Sequence, residues 1–390
     1  MSPIGVMHLI DTLEVGGAEQ MAMSLANLLP RDQFEPHLCT TRHEGPLAAA
    51  VGPDVGRLRL ARVRRFDAGA LARLVRYVRR HDIQLLHAHS TAVFTAAAAS
   101  VFPPWPAVVW HDHFGRDIGQ RRPWPYRPLA SRIAGVIAVS SLLADWASAA
   151  LGVPAERIRY IPNFVVPPSG GTAVPTLPGV PGFRIVCVAN WREQKDHATL
   201  LEAFALVMRR APAAHLLLVG TESQDAYGER IRQDISRLGL QAHVTRLGYR
   251  SDVAALLTGA DIGVLSSRSE GLPLALLDYG RAGLAVVATS VGQCAEVLDH
   301  GRAGALVKPG SPDDLASAII GLLEHAEGRA SAARAFQARV ASVYSPERAV
   351  REVCQLYQVV LARRARGGKT PAPPPHSGAA SAGMVRRATS

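Results

Sequence analysis

The hydrophobic and polar positions of this chain follow two alternating patterns over most of its length. Short runs of apolar residues, such as GVMHLID and GVIAVS, give way to longer segments with an apolar residue every three to four positions, such as GAEQMAMSLANLL. The first pattern is typical of buried strands and the second of amphipathic helices. Because strands that alternate with helices form parallel sheets covered on both faces, we predict an α/β fold.

The alternation occurs twice, with an interruption between the two series. The interrupting segment, FVVPPSGGTAVPTLPGVPG, is rich in Pro and Gly and has no apolar period, which is typical of a linker. We therefore predict two Rossmann-like, doubly wound domains facing a central cleft, over 1–165 and 183–345, with a linker over 166–182. A helix over 346–366 should pack back towards the N-terminal domain, and 367–390 should be a disordered tail because it lacks large apolar residues.

The chain carries a formal net charge of +11 over 390 residues. Such an excess of cations favours an acidic partner, which could be nucleic acid, an anionic lipid surface or a phosphorylated small molecule. The arginines are spread along helices, and no zinc-finger, RNA-recognition or basic-zipper pattern occurs. We therefore expect no nucleic-acid partner, and charge alone does not separate the other two.

The cysteines and the apolar stretches indicate the cellular compartment in which the protein is expected. Four cysteines lie far apart, which favours neither a disulfide framework nor a zinc ribbon. The start of the chain lacks the basic and long apolar regions of a signal peptide, and the longest apolar stretch, AVFTAAAASVF, is too short to span a bilayer. We expect a cytoplasmic protein.

The second series opens with the strand FRIVCVAN, and Lys195 follows on the loop that leads into the next helix. Asp196 is the predicted cap of that helix. A lysine in this position suits a bound phosphate, since free backbone N–H groups and the helix dipole favour an anion there. An isolated loop lysine is more often plain surface, so the prediction depends on the neighbouring loops.

The segment RSEGLPLALLDYGRAG has one acid in a loop and another inside an apolar helix. Glu270 ends the strand GVLSSRS and should lie on the same rim as the lysine loop. Gly271, which lets backbone amides approach a ligand, and Leu272 lead to Pro273, expected in the first helical turn. Asp278 lies among leucines, where a carboxylate needs a partner. Sugar hydroxyls suit both acids, because a carboxylate offers two acceptor oxygens.

Several motifs are specific as an ordered set, namely VGGAE at 15–19, HDHFG at 111–115, YIPN at 160–163, QKDHATLLEAF at 194–204, and EGLPLALLD followed by GLAVVATSVGQCAEVL. With them the chain resembles the family 4 retaining glycosyltransferases of the GT-B fold, over roughly residues 4–365. The resemblance implies a nucleotide-sugar donor in the C-terminal domain and an acceptor on the N-terminal side. It implies no cofactor, because the nucleotide-sugar is a substrate.

Carried over position by position, the two acids of this family fall on Glu270 and Asp278, with Asp where a second Glu is usual. The phosphate-binding lysine falls on Lys195. Asn190 stands where an Arg is usual, and Arg192 on the same loop is the candidate substitute. Glu270 and Lys195 are thus candidate catalytic residues. All five are candidate donor-binding residues, together with Gly271, Leu272 and Pro273.

Two further donor contacts follow from the resemblance. It assigns a glycine loop to Gly16 and Gly17, which would permit a tight turn and a close backbone approach to the donor phosphate or the acceptor. A plain strand-to-helix turn is the alternative for a lone Gly-Gly pair. Backbone groups around Tyr249 and Arg250 would recognise the base, and UDP and GDP are both compatible.

Histidines lie at the ends of two N-terminal strands. The resemblance places a catalytic contact to the donor sugar on His113, with His111 as the second candidate. These two also suggest a metal, but the sequence offers no third or fourth ligand near them and no D-x-D element, so we predict metal-free chemistry. His87 and His89, in LLHAHS, are expected to be structural.

The stretch from Phe114 to Arg132 mixes five arginines with Trp124 and Tyr126. Aromatic residues beside cations suit a membrane surface or a lipid-phosphate acceptor, and a solvated loop covering the cleft is an equal alternative. An anionic membrane surface is therefore a candidate partner, with the protein at the inner face of the membrane.

Together these features predict a metal-independent, retaining hexosyl- or related glycosyltransferase. It would move a sugar from a UDP- or GDP-sugar to a hydroxyl of a glycan or lipid-linked acceptor. The alternatives are a nucleotide-sugar 2-epimerase, which needs no acceptor, and an inactive GT-B binding or scaffold protein, which Asn190 and Asp278 keep open. A dinucleotide dehydrogenase is disfavoured, since no G-x-G-x-x-G follows the first strand of either domain.

Overall fold

The computed structural model describes residues 3–64, 66–114, 118, 121–166 and 175–366. The predicted tail over 367–390, and residues 167–174 of the predicted linker, lie outside the described residues.

The N-terminal domain is built on a seven-stranded sheet in which all pairs are parallel. Its strands are β1 (Ile4–Ile10), β2 (Phe34–Thr40), β3 (Gly56–Arg59), β4 (Ile83–His89), β5 (Ala107–Asp112), β6 (Ile133–Ala138) and β7 (Ile158–Tyr160). Their order is β3-β2-β1-β4-β5-β6-β7. The strand order reverses between β1 and β4, which is where open parallel sheets form a ligand crevice.

Amphipathic segments cover both faces of this sheet. The α-helices are α1 (Gly17–Leu28), α2 (Ala68–Arg80), α3 (Val93–Ala99) and α4 (Ser141–Leu151). In α2, Ala70, Leu74 and Val78 are buried at helical spacing while the arginines point outward.

The C-terminal domain repeats the plan with a six-stranded parallel sheet. Its strands are β8 (Arg184–Val188), β9 (His215–Val219), β10 (Val244–Gly248), β11 (Ile262–Leu265), β12 (Ala285–Thr289) and β13 (Ala305–Val307). Its helices are α5 (His197–Arg210), α6 (Ala226–Arg237), α7 (Val253–Leu257), α8 (Leu274–Ala282), α9 (Cys294–Val297), α10 (Pro312–Glu324) and α11 (Ala326–Val343). The order is β10-β9-β8-β11-β12-β13, so the switch point lies between β8 and β11.

The last helix, α12 (Pro346–Ala365), belongs to the N-terminal core although it follows the C-terminal domain. Ser345 caps it by accepting from the N–H of Arg348. Val353, Leu356 and Tyr357 are buried in one cluster with residues of β1, β4 and β5. The chain therefore crosses between domains twice, and α12 ties the second crossing to the first sheet.

The two domains also touch directly. Tyr160, at the end of β7, donates a hydrogen bond of 2.5 Å to Glu296 in α9. Leu274, at the start of α8, packs against the N-terminal core, and its Cδ1 would lie 3.8 Å from a Cβ on Gly17. Among the described residues, none of the helices combines the length and the continuous hydrophobicity needed to traverse a bilayer.

Candidate functional site

The first loop of the site follows β8 and ends at Asp196. Asp196 has a left-handed backbone with φ of 50°, and its buried carboxylate accepts from the N–H of Thr199. It thus caps α5, as the sequence predicted. Because the cap fixes the start of the helix, it also fixes Lys195 beside the α5 N-terminus.

The second loop follows β11 and is held against the first. Gln194 Nε2 donates to the Ser269 carbonyl at 2.6 Å, and the Arg268 backbone N–H donates to the Gln194 carbonyl at 2.8 Å. The Arg268 guanidinium pairs with Asp196 at 2.9 Å. Asp196 therefore caps the helix and binds the two loops together.

These loops bring Lys195 and Glu270 into contact. Lys195 Nζ lies 2.6 Å from Glu270 Oε1, and Ser267 Oγ donates to the same oxygen at 2.6 Å. The Glu270 side chain is only 6 % exposed, whereas that of Lys195 is 23 % exposed. The cation of this pair is thus the more exposed member and the carboxylate the more buried one, and both lie on the loops that lead into α5 and α8.

The backbone around Glu270 is closely packed. Gly292 has φ of 51°, and a Cβ there would lie 2.1 Å from the Glu270 carbonyl oxygen, so only glycine fits. The Gln293 N–H donates to the Gly271 carbonyl at 3.0 Å, while Leu272 is buried. Pro273 has an extended backbone and precedes α8 as its cap residue, so the prediction of Pro273 within the first turn is wrong by one position.

Asp278 lies on α8, half-buried among apolar neighbours. Burial raises the pKa of its carboxyl to about 7, and Arg281 opposes the shift only weakly. No described residue makes a hydrogen bond to this carboxylate. The sequence predicted a hydrogen-bonding partner for this carboxylate, and none of the described residues provides one. The carboxylate is therefore available to accept hydrogen bonds from a ligand.

A cavity of about 930 Å³ opens between the two domains. Its walls include Glu14, Val15 and Pro46 from the N-terminal domain and Asn190, Trp191, Arg192, Glu193, Thr221, Glu222, Ser223, Asp225, Ala226, Tyr227 and Tyr249 from the C-terminal domain. Asn190 is held by the Thr221 N–H, which donates to its Oδ1 at 2.9 Å. Arg192 is exposed and is thus available to a ligand in this cavity.

Two further predicted contacts involve Arg250 and the glycine pair. The Arg250 side chain pairs with Asp252 at 2.5 Å, which leaves its backbone as the part predicted to recognise the base. Gly16 has φ of −157° and Gly17 is the first helical residue, so neither glycine serves a left-handed turn. A Cβ on Gly16 would meet a Glu19 carboxylate oxygen at 2.3 Å, which shows that this acid already covers the N-terminus of α1.

The histidines of the N-terminal sheet form one cluster at its switch point, which we term the histidine cluster: His8, His87, His89, His111 and His113. Strand register explains it, because His8 pairs with His87 and His89 pairs with His111 in neighbouring parallel strands. Burial lowers the pKa of all five imidazoles, to about 3 for His8 and His113, so the cluster is neutral.

Hydrogen bonds order this cluster in two rows. In the first row His8 Nδ1 lies 3.1 Å from His89 Nε2, and His89 Nδ1 lies 3.1 Å from His113 Nε2. In the second row the Tyr357 hydroxyl contacts His87 Nδ1, and His87 Nε2 lies 3.1 Å from His111 Nδ1. The sequence argument that no third ligand lies near His111 and His113 is therefore wrong, because β4 brings His89 beside them.

The basic, aromatic stretch is partly internal. Arg121 is buried, pairs with buried Asp112 at 2.5 Å, and stacks on Trp146 with 3.9 Å to the ring centroid. Tyr126 packs on Trp110 with ring centroids 5.3 Å apart. Trp124 is 63 % exposed. Arg121 and Tyr126 thus stabilise the domain, and the prediction that they face a membrane or acceptor is wrong for these two.

Comparison with known proteins identifies the family. Residues 15–167 match the family described as Glycosyltransferase Family 4, and residues 182–325 match the family described as Glycosyl transferases group 1. The chain belongs to the family 4 glycosyltransferases of the GT-B fold. This confirms the fold and the family that the sequence predicted.

Named relatives include two bacterial enzymes and one solved structure. A phosphatidyl-myo-inositol mannosyltransferase of Mycolicibacterium smegmatis is 31 % identical over 52 % of this chain and 52 % of its own length. The N-acetyl-alpha-D-glucosaminyl L-malate synthase of Bacillus anthracis is 29 % identical over 47 % of each chain. HepE of Anabaena, solved with UDP and glucose, has a TM-score of 0.75 at 21 % identity, covering 90 % of this chain and 99 % of that one. The chain spans about half the length of the curated relatives it matches.

For this family 4 glycosyltransferase, the predicted donor residues fall into two groups on the loops that follow the strands of the C-terminal sheet. Lys195 and Glu270 are in contact, while Asn190, Arg192 and Tyr249 line the interdomain cavity. Sequence reasoning missed the cavity residues that follow β9, namely Thr221, Glu222, Ser223 and Asp225. Their position directly after the strand AHLLLVG is the signal that could have found them, since loops at the carboxyl ends of parallel strands carry the ligand contacts.

Proposed function

We propose that the protein is a hexosyl- or related glycosyltransferase that moves a sugar from a UDP- or GDP-sugar to a hydroxyl of a glycan or lipid-linked acceptor. Transfer proceeds with retention, without a cofactor and without a divalent ion at the diphosphate. The observation that carries the proposal is the Lys195–Glu270 contact of 2.6 Å at the switch point of the C-terminal sheet. A cation and an acid on adjacent loops match the two parts of such a donor, its diphosphate and its sugar hydroxyls.

Donor binding exchanges the partners of this pair. A diphosphate carries more negative charge than a single carboxylate, so it draws the more exposed Lys195 ammonium towards the cleft. Glu270 then keeps the Ser267 hydroxyl at 2.6 Å and gains free acceptor capacity for hydroxyls of the sugar. The free protein thus holds its sugar-binding acid in place with the cation that later binds the phosphates.

The chemistry requires charge stabilisation more than a strong base. When the bond between the anomeric carbon and the phosphate oxygen breaks, negative charge grows on that oxygen, where Lys195, Arg192 and the N–H groups at the start of α8 lie in reach of the rim. The acceptor hydroxyl attacks from the face that the phosphate leaves, and its proton passes to the departing phosphate oxygen. The new bond then has the configuration of the old one.

Asp278 binds the ribose of the donor. Its carboxylate has no hydrogen bond from the described residues and is neutral or charged near pH 7. Two ribose hydroxyls supply the missing donors and so favour the charged form. The base lies against Tyr249, which is 53 % exposed on the cavity wall.

An N-terminal cavity of about 690 Å³ suits the acceptor. Arg42, Arg62 and Arg64 line it together with Asp11, Asp67, Phe66 and Leu71, and Arg62 pairs with Asp11 at 3.5 Å. Phe66 is 88 % exposed beside these cations, which is an unusual place for a large apolar side chain. The combination fits an acceptor with an anionic group and an apolar part, such as a lipid-linked phosphate at an anionic membrane surface.

The test is a thermal-shift and product screen with UDP, GDP, ADP and their sugar derivatives. One nucleotide should stabilise the wild type, by about 2.7 kcal/mol at a hundred times its dissociation constant, and both K195A and D278A should lose the shift. Product analysis with donor alone separates the epimerase, since an epimerase converts the donor without an acceptor.

Binding without turnover across a broad acceptor panel would contradict the proposal and favour the inactive GT-B protein. Glu270→Gln separates binding from transfer, because it keeps the shape of the Glu270 side chain and removes its charge. It should abolish transfer while UDP or GDP alone still binds. Absence of co-sedimentation with anionic liposomes at low salt would contradict the membrane part alone.

A further inference from the structure

We propose that His89, His111 and His113 form a binding site for a divalent transition-metal ion, with zinc as the ion that fits best. The inference is independent of the proposed transfer, because the diphosphate is met in the other domain by Lys195 and the helix N-termini.

The spacing of the three imidazoles suits a metal. Each residue offers a nitrogen within 4.8 Å of those of the other two. Zinc binds histidine at 2.0–2.1 Å, which places two tetrahedral ligand atoms about 3.3 Å apart. His89 Nδ1 and His113 Nε2 are already 3.1 Å apart, so only small ring rotations separate this arrangement from a coordinated one.

A free nitrogen is available on His111. Among the buried side-chain atoms of the described residues, His111 Nε2 has no hydrogen-bond partner, so it can complete the set with His89 Nδ1 and His113 Nε2. A buried unpaired imidazole nitrogen costs free energy unless a ligand satisfies it. The imidazoles are neutral, which is the form that binds a metal.

The remaining histidines act as supports. His8 holds the Nε2 of His89, and His87 holds the Nδ1 of His111, each at 3.1 Å. The Tyr357 hydroxyl in turn contacts His87. A metal-binding histidine almost always has its other ring nitrogen fixed in this way, which sets the tautomer and the ring orientation.

Access favours this triad over its neighbour. His8, His87 and His89 also lie within 4.8 Å of one another, but all three are fully buried. His113 is half-buried just after β5, so this triad, unlike its neighbour, includes a residue that keeps some solvent exposure. No carboxylate belongs to the triad, which favours zinc over magnesium or calcium. His113 keeps one ring nitrogen for a sugar when the other binds the ion.

The experiment titrates Zn²⁺ into the chelator-treated full chain by calorimetry, with Mg²⁺ as the comparison. One equivalent of Zn²⁺ should bind and raise the melting temperature, while Mg²⁺ should not bind. His89→Ala and His113→Ala should each weaken Zn²⁺ binding at least tenfold, and His8→Ala should weaken it about tenfold, as expected for a supporting residue. His325→Ala is the control, because His325 is exposed and belongs to none of the histidine groups among the described residues that could hold a metal ion. Its affinity should equal that of the wild type.

A second measurement does not depend on the variants folding. X-ray absorption of the zinc-loaded wild type should show three histidine nitrogens at 2.0–2.1 Å. Absence of stoichiometric zinc, zinc bound without histidine ligands, or full affinity in H89A and H113A would each overturn the proposal.

Discussion

The switch-point rims of the two sheets share a topology and differ in charge. In the C-terminal domain, ionised side chains meet in pairs, Lys195 with Glu270 and Arg268 with Asp196. In the N-terminal domain, the same position holds the neutral histidine cluster, ordered by hydrogen bonds between rings. A parallel sheet therefore fixes where ligands bind, whereas the side chains on its loops decide which ligands bind there.

The difference follows from burial. Lys195 is on a loop and keeps contact with water, so a charge there is stable and can meet a phosphate. His87 and His89 lie within β4 and are fully buried, where a charge would be costly. Lys195 and Glu270 thus lie on loops beyond the strands, whereas the neutral imidazoles of His87 and His89 lie within a strand.

The largest expected effect concerns the charged rim. Lys195→Ala should lower kcat/KM by about 10²–10³-fold, because one preorganised cation is lost where phosphate charge develops. Steady-state kinetics with the donor identified by thermal shift measures it. Lys308→Ala, which removes an exposed lysine of the same domain, is the control and should behave as the wild type. An equal loss in both variants would mean that net charge and not this contact matters.

The histidine cluster is tested through its buried hydrogen bond between His87 and Tyr357. Tyr357→Phe should lower the free energy of unfolding by about 1–3 kcal/mol, because it leaves His87 Nδ1 buried without a partner. Denaturant melts measure this loss. The same change at Tyr77, whose hydroxyl lies 3.0 Å from His37 Nδ1 in a half-buried position, should cost less. A larger loss at Tyr77 would refute the link between burial and neutral pairing.

Asp278 provides a further test of the comparison. It lies in the C-terminal domain, but burial favours the neutral form of its carboxyl, as burial does for the imidazoles of the histidine cluster. Folding raises its pKa from 3.8 to about 7, so the folded state keeps a proton that the unfolded state loses in this range. Stability should therefore fall as pH rises from about 4 to about 7, by up to ~1.4 kcal/mol per pH unit, and then level off. Asp278→Asn should remove this slope.

Donor binding should have the opposite pH dependence through the same group. Since ribose hydroxyls favour the charged carboxylate, affinity should rise with pH up to about 7, by at most tenfold per pH unit. Nucleotide titrations at several pH values measure it, with D278N as the variant that shows no slope. A wild-type affinity that does not change between pH 5 and 7 would place Asp278 outside the ribose site.

The smallest expected effect lies at the acceptor cavity. Arg42→Ala should raise the acceptor KM a few-fold, because one exposed cation contributes about 0.2–1 kcal/mol to an ionic contact. Donor binding should be unchanged. Kinetics at varied acceptor concentration and rising salt would show the effect fading, and an altered donor affinity would instead place Arg42 in the donor cleft.

The sequence by itself determined the elements, the GT-B family and much of the donor rim. The local period of apolar residues predicted the strands and helices. Lys195, Asp196 and Glu270 each follow a predicted strand, which predicted that they lie at one edge of the sheet. Both predictions need only the order of neighbouring residues along the chain. The short strands β3, β7 and β13, of three or four residues each, gave no such period.

Only the tertiary structure decided which distant residues touch. The pairing of His8 with His87 joins strands 79 residues apart and depends on sheet register, which no local pattern encodes. Helix α12 packs on the N-terminal sheet and so places Tyr357 against His87, which lies 270 residues earlier in the chain. Arg121 points into the domain and donates to Asp112. Each of these contacts joins side chains from separate elements of structure. The burial of the histidines, their neutral state and their proposed metal site therefore depend on the assembled sheet and not on any local pattern.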